Sequence, residues 1–470
     1  MDHVKKISLK GIENPNLEIA LTVEEEKKEA NKLYFSGKNL EFILPKSFED
    51  DNDILRKAAA TILEYLISNN VKRANLNLTI LKNSTQSKAF LEGLLISSYF
   101  FSMKSKSSES NIEIGLINSK LNEKELDELK DIFYYVNLTR DLVNSPANVM
   151  TIDNFINKIK EEAKKFDTIK INIIDSEELQ KLGMNQILAV GQGSVNKPKL
   201  LIMEYSPAEK FSSNNEKDKQ VKKKTIEEFD LALIGKGVIF DSGGLSLKPA
   251  KSMETMKEDM AGAATVMAIL LALAKLGINK KAIALAPLVE NMPSGSATKP
   301  GDVIKSYSGK TVEILNTDAE GRLILGDTIA YAYKNYKFKK LIDFATLTGA
   351  CLIALGPFAA AILGNDKELI KDLFEIGNEL GEKLWELPTW PEYSELIKSK
   401  IADIKNIGND GLGAGTIVGA IFLKEFVNQN NWAHIDIAST AFHEQKIKYY
   451  QPGATGFGVR LVVEFAKKKL

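Results

Sequence analysis

Residues 231–276 read LALIGKGVIFDSGGLSLKPAKSMETMKEDMAGAATVMAILLALAKL, and this stretch decides the fold class. It begins with an apolar run of strand length and ends with a long run of apolar and small residues. That second run predicts a buried helix over about residues 258–276, which ends at Gly277. A strand followed by a helix of this kind is the repeating unit of α/β proteins.

The same alternation continues on both sides of this stretch. Strands are predicted for KLLIMEY (199–205), LALIGKG (231–237), AIALAPLVE (282–290), VEILN (312–316), KLIDFATLT (340–348) and AHIDIAS (433–439). A second helix is predicted over about residues 321–336. The pattern indicates an α/β fold with a mainly parallel sheet covered by helices, in which ligands bind beyond the carboxyl ends of the strands.

The first part of the chain predicts a smaller α/β domain without a chemical motif. Helical patterns occur at about residues 54–67 and 87–101, and a connecting helix is predicted over about residues 122–143. That helix stops before NSPANV (144–149), where Pro146 disfavours helical backbone at the preceding residue. Thr151 fits the N-cap of the next helix. We therefore predict an N-terminal domain over residues 1–150 and a larger domain over residues 151–470.

The composition limits the class of protein. The chain has 470 residues, 44% of them hydrophobic and 26% charged, and its 62 acidic residues balance its 62 basic residues. Such a composition is typical of a soluble globular protein and gives no net field toward nucleic acid or an anionic membrane. Cys351 is the only cysteine, which excludes an internal disulfide and suits a reducing compartment. Because the amino terminus lacks the apolar stretch of a secretory signal, we expect a cytoplasmic protein.

Three further segments have simple interpretations. Residues 260–274 are apolar but too short for a membrane-spanning helix, and residues 344–365 are interrupted by Gly356 and Pro357. Both segments are predicted to be buried, so no membrane association is expected. The charged segment over residues 212–227 is interpreted as a solvated loop between two strands.

Acidic and basic residues concentrate next to glycines in three short segments. These are GKGVIFDSGGLSLKP (235–249) with Lys236, Asp241 and Lys248, MKEDMAGAAT (256–265) with Asp259, and NTDAEGRLILGD (316–327) with Asp318, Glu320 and Arg322. One carboxylate at a helix amino terminus is an ordinary partner of the helix dipole. Four carboxylates at neighbouring strand ends would repel one another, and two divalent metal ions would compensate their charge.

Histidine is too scarce in this chain to support histidine-based catalysis or metal binding. Histidine occurs only at positions 3, 434 and 443, which excludes a histidine-rich zinc site. His434 lies within an apolar strand and is interpreted as a core histidine whose nitrogens are both satisfied. The chemistry is therefore expected to depend on carboxylates and amines.

The three segments resemble the leucine aminopeptidase family of cytosol aminopeptidases. The resemblance also includes ENMPSGSATKPGDVIKSYSGKTVEI (290–314), ATLTGA (345–350) and WAHIDIAST (432–440), and it extends from RDLVNSPANVMT (140–151) to the carboxyl end. The octapeptide NTDAEGRL (316–323) is the family's signature in full. Ala261 stands where the family usually has Gly, and Ile239 where Thr is common.

The resemblance implies that residues 151–470 form a dimetal catalytic aminopeptidase domain. Such an enzyme releases N-terminal amino acids, preferably leucine and other apolar residues, by attack of a hydroxide that bridges the two metals. One metal, manganese or zinc, would be held by Lys236, Asp241, Asp259 and Glu320, and the other by Asp241, Asp318 and Glu320. A metal ligand must be a neutral amine, and burial beside two dications would lower the pKa of Lys236. The residues alone would instead indicate a charge-pairing lysine.

The resemblance also implies roles for residues around the metals. Lys248 would stabilise the oxyanion of the tetrahedral intermediate. Arg322 would hold a bicarbonate ion that carries a proton to the leaving amine, although a structural salt bridge is an alternative for this residue. The side-chain pocket for the first residue would be formed by Met256, Thr346, Leu347, Gly349 and Ala454. The partners would be peptides with a free amino terminus, and the assembly a homohexamer.

Two other functions use the same scaffold. Some relatives of the family bind DNA, so a bifunctional or purely DNA-binding regulator is the alternative, although zero net charge argues against nucleic acid as a partner. An inactive homologue with a structural role is the other alternative, but the ligand residues are all intact here.

Overall fold

The structure is a computed structural model. It describes residues 4–23, 28–36, 39–49, 51–105, 111–209, 211, 228–409 and 411–470. The chain forms two compact units. One unit comprises Met1–Asn137, Glu379–Gly381 and His443–Gly453, and the other comprises Leu138–Asn378, Glu382–Phe442 and Ala454–Leu470. The boundary after residue 150 stays a prediction, and the two later segments of the first unit were not foreseen from the sequence.

The first unit contains a six-stranded sheet with its own helices. In chain order its elements are β1 (Val4–Ser8), β2 (Leu17–Val23), β3 (Leu33–Ser36), β4 (Asn39–Leu44), α1 (Asn52–Ser68), β5 (Arg73–Asn77), α2 (Ser84–Ser98) and β6 (Ile112–Ile117). The strand order is β1-β6-β5-β2-β4-β3, and the strands are parallel except for the β3–β4 pair. The helix α3 (Glu123–Asn144) follows this sheet in the chain.

The second half of the fold begins with α4 and contains the larger sheet. Its first elements are α4 (Ile152–Ala163), β7 (Ile169–Ile174), α5 (Ser176–Leu182), α6 (Asn185–Gly191), β8 (Lys199–Tyr205), β9 (Glu228–Gly235), β10 (Gly237–Asp241), α7 (Ala250–Met253), α8 (Ala261–Lys275), β11 (Ala282–Asn291), β12 (Val303–Lys305) and β13 (Thr311–Glu313). They are followed by α9 (Gly321–Asn335), β14 (Lys337–Ala345), α10 (Gly349–Leu355), β15 (Ala360–Gly364), α11 (Lys367–Leu380), β16 (Leu384–Glu386), β17 (Ile404–Lys405), α12 (Gly415–Lys424), β18 (Trp432–Asp436), β19 (Phe442–His443), β20 (Gly453–Ala454) and α13 (Val459–Lys468).

The larger sheet is mainly parallel, as predicted. Its strand order is β16-β15-β18-β14-β9-β11-β8-β7, and β10 pairs with β11. The central strands β18, β14, β9 and β11 run parallel to one another, whereas β15 is antiparallel to β18 and the pairs β11–β8 and β8–β7 are antiparallel. A parallel sheet brings the carboxyl ends of its strands to one edge, which is where Lys236 follows β9 and Asp241 ends β10.

Helix α8 is buried on all sides and places Asp259 at this edge. Every residue from Ala261 to Leu273 is buried, as expected for a helix without a polar face. Gly262 allows its first turn to approach the strands closely, because a Cβ atom there would lie 2.2 Å from the carbonyl oxygen of Phe344. The helix start, and Asp259 just before it, is therefore held against the carboxyl end of β14.

Several local predictions are confirmed. The helices predicted over residues 122–143, 258–276 and 321–336 correspond to α3, α8 and α9 within a few residues. Thr151 is the N-cap of α4, and its hydroxyl accepts a hydrogen bond from the backbone of Asn154 at 3.2 Å.

One strand prediction is wrong in its extent. Only Val312 and Glu313 of the VEILN segment lie in a strand, the three-residue β13. That strand belongs to a separate three-stranded sheet with β12 and β17 rather than to the main sheet. The segment over residues 212–227 lies outside the described residues. Among the helices that the structure describes, none has the length and apolarity to cross a bilayer.

Candidate metal centre

Three buried carboxylates meet at the carboxyl edge of the larger sheet. Asp241 ends β10, Asp259 precedes α8, and Glu320 is the residue before α9. Each is at most 4% exposed. Each offers an oxygen atom, and these atoms all lie within 4.8 Å of one another, so the three could hold one metal ion. The sequence predicted all three, since each follows a strand or opens a helix.

Lys236 lies between two of these carboxylates. It joins β9 to β10, and its Nζ lies 2.7 Å from Oδ1 of Asp259 and 3.0 Å from Oε1 of Glu320. The same nitrogen donates a hydrogen bond to the carbonyl oxygen of Thr346 at 2.8 Å. Gly321 makes room for this side chain, because a Cβ atom at Gly321 would lie 2.5 Å from Cε of Lys236.

The charge state of Lys236 depends on what occupies the site. Burial by itself would lower the pKa of Lys236, but the carboxylates of Asp259, Glu320 and Asp241 outweigh it and raise the pKa above its ordinary value. Within the protein alone, the Nζ of Lys236 is placed to pair charge with Asp259 and Glu320. That is the interpretation that the residues alone favoured.

Lys248 is the second lysine of the site, and it contacts Asp241 and Asp318. Its Nζ lies 2.9 Å from Oδ2 of Asp241 and 2.6 Å from Oδ1 of Asp318. Asp318 is the most accessible of the four predicted acidic ligands, with 32% of its side chain exposed. Burial by itself would lower the pKa of Lys248, but Asp241 and Asp318 raise it, so this lysine is also charged.

The acidic residues carry more negative charge than the lysines balance. Burial raises the pKa of Asp259 well above its usual range; Lys236 lowers it, but the carboxylates of Glu320 and Asp241 act with burial and keep the net shift upward. Burial and Asp241 raise the pKa of Glu320 in the same way. In the described part of the chain, Oδ2 of Asp259 has no hydrogen-bond partner. A buried carboxylate oxygen without a partner is costly, and a divalent cation is the ligand that oxygen donors of this kind fit.

Arg322 is the second residue of α9 and is 7% exposed. It donates a hydrogen bond from Nη1 to the carbonyl oxygen of Asn406 at 2.8 Å, whereas its Nε has no hydrogen-bond partner among the described residues. Burial lowers the pKa of Arg322 to about 10, so it stays protonated at neutral pH. Its described contacts are not those of a salt bridge, which was the alternative for this residue.

The residues predicted to form the substrate pocket are placed unequally. Thr346 and Leu347 follow β14 directly. The Thr346 hydroxyl donates to Oδ1 of Asp259 at 2.8 Å, and the Leu347 amide donates to Oδ1 of Asp436 at 3.1 Å. Met256 is half-buried, Gly349 is exposed at the start of α10, and Ala454 is buried in β20. The pocket that these five residues would form stays a prediction.

Asn291 contacts the site but was not identified from the sequence. It ends β11 and donates from Nδ2 to Oδ1 of Asp241 at 2.8 Å and to the carbonyl oxygen of Thr317 at 3.0 Å. The amide of Gly243 donates to the same oxygen of Asp241 at 2.8 Å. These two donors orient the Asp241 carboxylate. The only sequence signal for Asn291 was its position at the end of a predicted strand.

His434 is a core residue, as interpreted, but only one of its nitrogens has a partner. The residue is fully buried, and its Nδ1 lies 2.6 Å from Oδ1 of Asp343. The other carboxylate oxygen of Asp343, Oδ2, accepts a hydrogen bond from Trp432. Nε2 has no hydrogen-bond partner among the described residues. Burial by itself would lower the pKa of His434, but Asp343 raises it.

Comparisons with known proteins show which family this chain belongs to. The family model of the cytosol aminopeptidase family, catalytic domain, matches residues 137–463. A probable cytosol aminopeptidase of Geobacter sp. (strain M21) is 42% identical over 438 residues, which cover 91% of this chain and 84% of that protein. A probable cytosol aminopeptidase of Chlorobium limicola is 43% identical over 396 residues, which cover 81% and 75% of the two chains.

A solved structure extends the likeness to the whole fold. The bottromycin maturation enzyme BotP in complex with Mn superposes with a TM-score of 0.84 at 28% identity, covering 96% of this chain and 99% of that chain. The family match spans every carboxylate of the site, and the curated relatives cover most of the chain. The chain therefore belongs to the cytosol aminopeptidase family and is a metal-dependent exopeptidase, a hydrolase.

Proposed function

We propose that this enzyme removes single amino acids from the free amino terminus of peptides, with two divalent cations per chain. The observation that supports it most directly is the buried cluster of Asp241, Asp259 and Glu320, in which Oδ2 of Asp259 has no hydrogen-bond partner among the residues that the structure describes. One cation would be held by Lys236, Asp241, Asp259 and Glu320. The other would be held by Asp241, Asp318 and Glu320, all within residues 151–470.

The cations, manganese or zinc, would polarise the scissile carbonyl and supply a hydroxide nucleophile at neutral pH. The protein must prepare the site for them. Lys236 would have to be a neutral amine to serve as a ligand, and the positive charge of bound cations would lower its pKa, opposite to the effect of the carboxylates alone. The paired donors of Asn291 and Gly243 hold Oδ1 of Asp241, while its Oδ2 lies 2.9 Å from the Nζ of Lys248.

Lys248 is proposed to stabilise the oxyanion. Its Nζ is charged, 16% of its side chain is exposed, and it contacts two of the proposed ligands, Asp241 and Asp318. A cation that takes up these two carboxylates frees the ammonium to donate to the substrate. A positioned donor of this kind stabilises charge that appears only in the transition state.

Arg322 is proposed to hold a bicarbonate ion. The guanidinium is buried and charged, and its Nε is without a hydrogen-bond partner among the described residues. A planar oxyanion matches the fork of a guanidinium. Held there, bicarbonate would transfer a proton from the nucleophile to the leaving amine.

Specificity is proposed to depend on the free amine and on an apolar pocket. The amine would bind beside the carboxylate cluster, and the first side chain would lie against Met256, Thr346, Leu347, Gly349 and Ala454. Met256, Leu347 and Ala454 are apolar, which favours leucine and other apolar residues at the first position. A homohexameric assembly and a cytoplasmic location are supported by family resemblance alone.

The test compares two peptides and two metal states of the full chain. We expect Leu-Gly-Gly to be cleaved to leucine and Gly-Gly, and its N-acetylated form to remain intact. Chelation and dialysis should abolish the activity, and Mn²⁺ or Zn²⁺ should restore it while elemental analysis shows two ions per chain. Equal cleavage of the blocked peptide, or full activity in metal-free protein, would refute the proposal.

A further inference from the structure

Asn406 is a buried residue that contacts the loop carrying two of the proposed metal ligands. It follows β17 directly, is 0% exposed, and lies about ninety residues away from that loop in the sequence. Its backbone amide donates to the carbonyl oxygen of Glu313 at 3.0 Å, so it continues the pairing between β17 and β13. Asn406 therefore lies at the end of this strand pairing.

The carboxamide of Asn406 binds the backbone on both sides of the loop's first turn. Oδ1 accepts hydrogen bonds from the amides of Leu315 at 2.9 Å and Asn316 at 3.4 Å. Nδ2 donates to the carbonyl oxygen of Asn316 at 2.6 Å and approaches that of Ala319 at 3.4 Å. One side chain thus satisfies donors and acceptors across residues 315–319, a stretch that lies outside any strand or helix.

The same residue also holds the arginine beyond the loop. The backbone carbonyl oxygen of Asn406 accepts the hydrogen bond from Nη1 of Arg322 at 2.8 Å. Asp318 lies within the backbone stretch that the side chain binds, and Glu320 lies between that stretch and Arg322. Displacement of Asn406 would therefore move both carboxylates and Arg322 together.

We propose that Asn406 is a positioning residue for the metal centre: its carboxamide sets the loop geometry that aims Asp318 and Glu320 at a divalent cation. The inference rests on the proposed ligand assignment. Replacing a residue that orients metal ligands without binding the metal itself typically weakens metal affinity by about 10–100-fold. The Asn406 side chain binds the backbone of the loop rather than a proposed ligand side chain, so its effect should appear in metal binding before it appears in turnover.

Asn406→Asp is the variant that tests this, because it keeps the shape and the Oδ1 acceptor but loses the donor. The new carboxylate oxygen would face the carbonyl oxygens of Asn316 and Ala319. Asn431→Asp is the matched control. Asn431 is buried, accepts a hydrogen bond from the Tyr333 hydroxyl at 2.7 Å and donates to the carbonyl oxygen of Phe338 at 3.3 Å. It precedes β18, at the end of the strands opposite to the carboxylates.

The experiment is a titration of metal-free full-length protein with Mn²⁺, with free Mn²⁺ followed by electron paramagnetic resonance. We expect Asn406→Asp to weaken at least one of two bound ions by about 10–100-fold, and Asn431→Asp to bind both as the wild type does. Excess Mn²⁺ should restore the turnover of Asn406→Asp, which a change in the fold alone would not allow.

The outcomes are distinct. Wild-type affinity in Asn406→Asp, or an equal loss in Asn431→Asp, overturns the positioning role while leaving the proposed function intact. A wild-type chain that binds no Mn²⁺ overturns the proposed site itself. If Asn406→Asp does not fold, Asn406→Ser carries the same test, and failure of both to fold would show that the residue serves the fold rather than the site.

Discussion

Two clusters of buried charge in this molecule differ in how completely their charges are paired. In the first unit, Arg56 contacts Glu92 at 2.7 Å and Asp53 at 3.2 Å, and Asp53 also accepts hydrogen bonds from Lys448 and Tyr449. At the carboxyl edge of the larger sheet, four carboxylates share two lysines, and Oδ2 of Asp259 has no hydrogen-bond partner in the described chain.

The pKa values of the two clusters move in opposite directions. Burial by itself would raise the pKa of Asp53, but Lys448 and Arg56 outweigh it and lower the pKa. Burial raises the pKa of Asp259, and its carboxylate neighbours add to the effect of burial. A paired cluster is complete within the protein, whereas a cluster with surplus negative charge needs a cation from outside. Both clusters contain acidic and basic residues, so the residue types do not distinguish them. The balance of charge does: the balanced cluster is structural, and the cluster with surplus negative charge is the candidate binding site.

The largest expected effect compares one glutamate from each cluster. Glu320→Gln should weaken Mn²⁺ binding by at least about 100-fold, because it removes a proposed ligand to both ions rather than a group behind one. Glu92→Gln should leave Mn²⁺ binding unchanged but reduce the free energy of unfolding by about 3–5 kcal/mol, because it leaves Arg56 with a broken buried pair. Mn²⁺ titration and urea denaturation of both variants measure the two effects. The comparison fails if Glu92→Gln loses metal or Glu320→Gln keeps it.

A pair of lysines sharpens the comparison further. Lys248 and Lys448 have similar side-chain exposure, 16% and 17%, and each lies 2.9 Å from an aspartate oxygen. Lys248→Ala should lower kcat for Leu-Gly-Gly by roughly 10²–10³, the size of losing one oxyanion donor, with metal content unchanged. Lys448→Ala should retain kcat. A normal kcat in Lys248→Ala would assign this lysine to charge pairing alone.

Lys236→Arg separates the two interpretations of Lys236. A guanidinium stays protonated at any accessible pH and cannot become a ligand, so binding of one Mn²⁺ should weaken by about 10–100-fold. If Lys236 served only to pair charge, arginine would preserve that function and both ions would bind normally. Metal content by elemental analysis after dialysis against low Mn²⁺ decides between these results.

The smallest expected effect concerns metal-free stability and pH. Because the pKa of Asp259 is raised in the folded state, the metal-free protein loses stability as pH rises from the unfolded pKa, about 3.9, through the folded value. Asp259→Asn removes this loss, and because Lys236 still pairs with Glu320 at 3.0 Å, the metal-free protein should gain about 1 kcal/mol of stability at pH 7. Asp53 has a lowered pKa, so its stabilisation is present above the unfolded pKa and is lost as pH falls through the folded value.

Thermal unfolding of metal-free protein at several pH values measures this contrast. Asp53→Asn should destabilise the protein at pH 7 while Asp259→Asn stabilises it. Two variants that shift the unfolding temperature in the same direction at pH 7 would contradict the distinction between paired and surplus charge.

The sequence by itself determined the elements that depend on local patterns. The apolar run of residues 261–273 predicted a buried helix, Thr151 predicted a helix start, and the alternation of strands and helices predicted the parallel sheet. The candidate metal ligands could be predicted from the sequence for the same reason. Carboxylates beside glycines at strand ends are local signals, and a parallel sheet brings strand ends together whatever the detailed packing.

The tertiary structure alone decided the contacts between residues distant in sequence. VEILN reads as a strand of the main sheet, but pairing with β12 and β17 placed its first residues in a separate sheet. Asn406 reads as a polar residue in a glycine-rich loop, and its role appears only where its carboxamide meets the backbone of residues 315–319. A side-chain amide has no periodicity or motif that names its partner, because its partners are backbone groups that every residue carries.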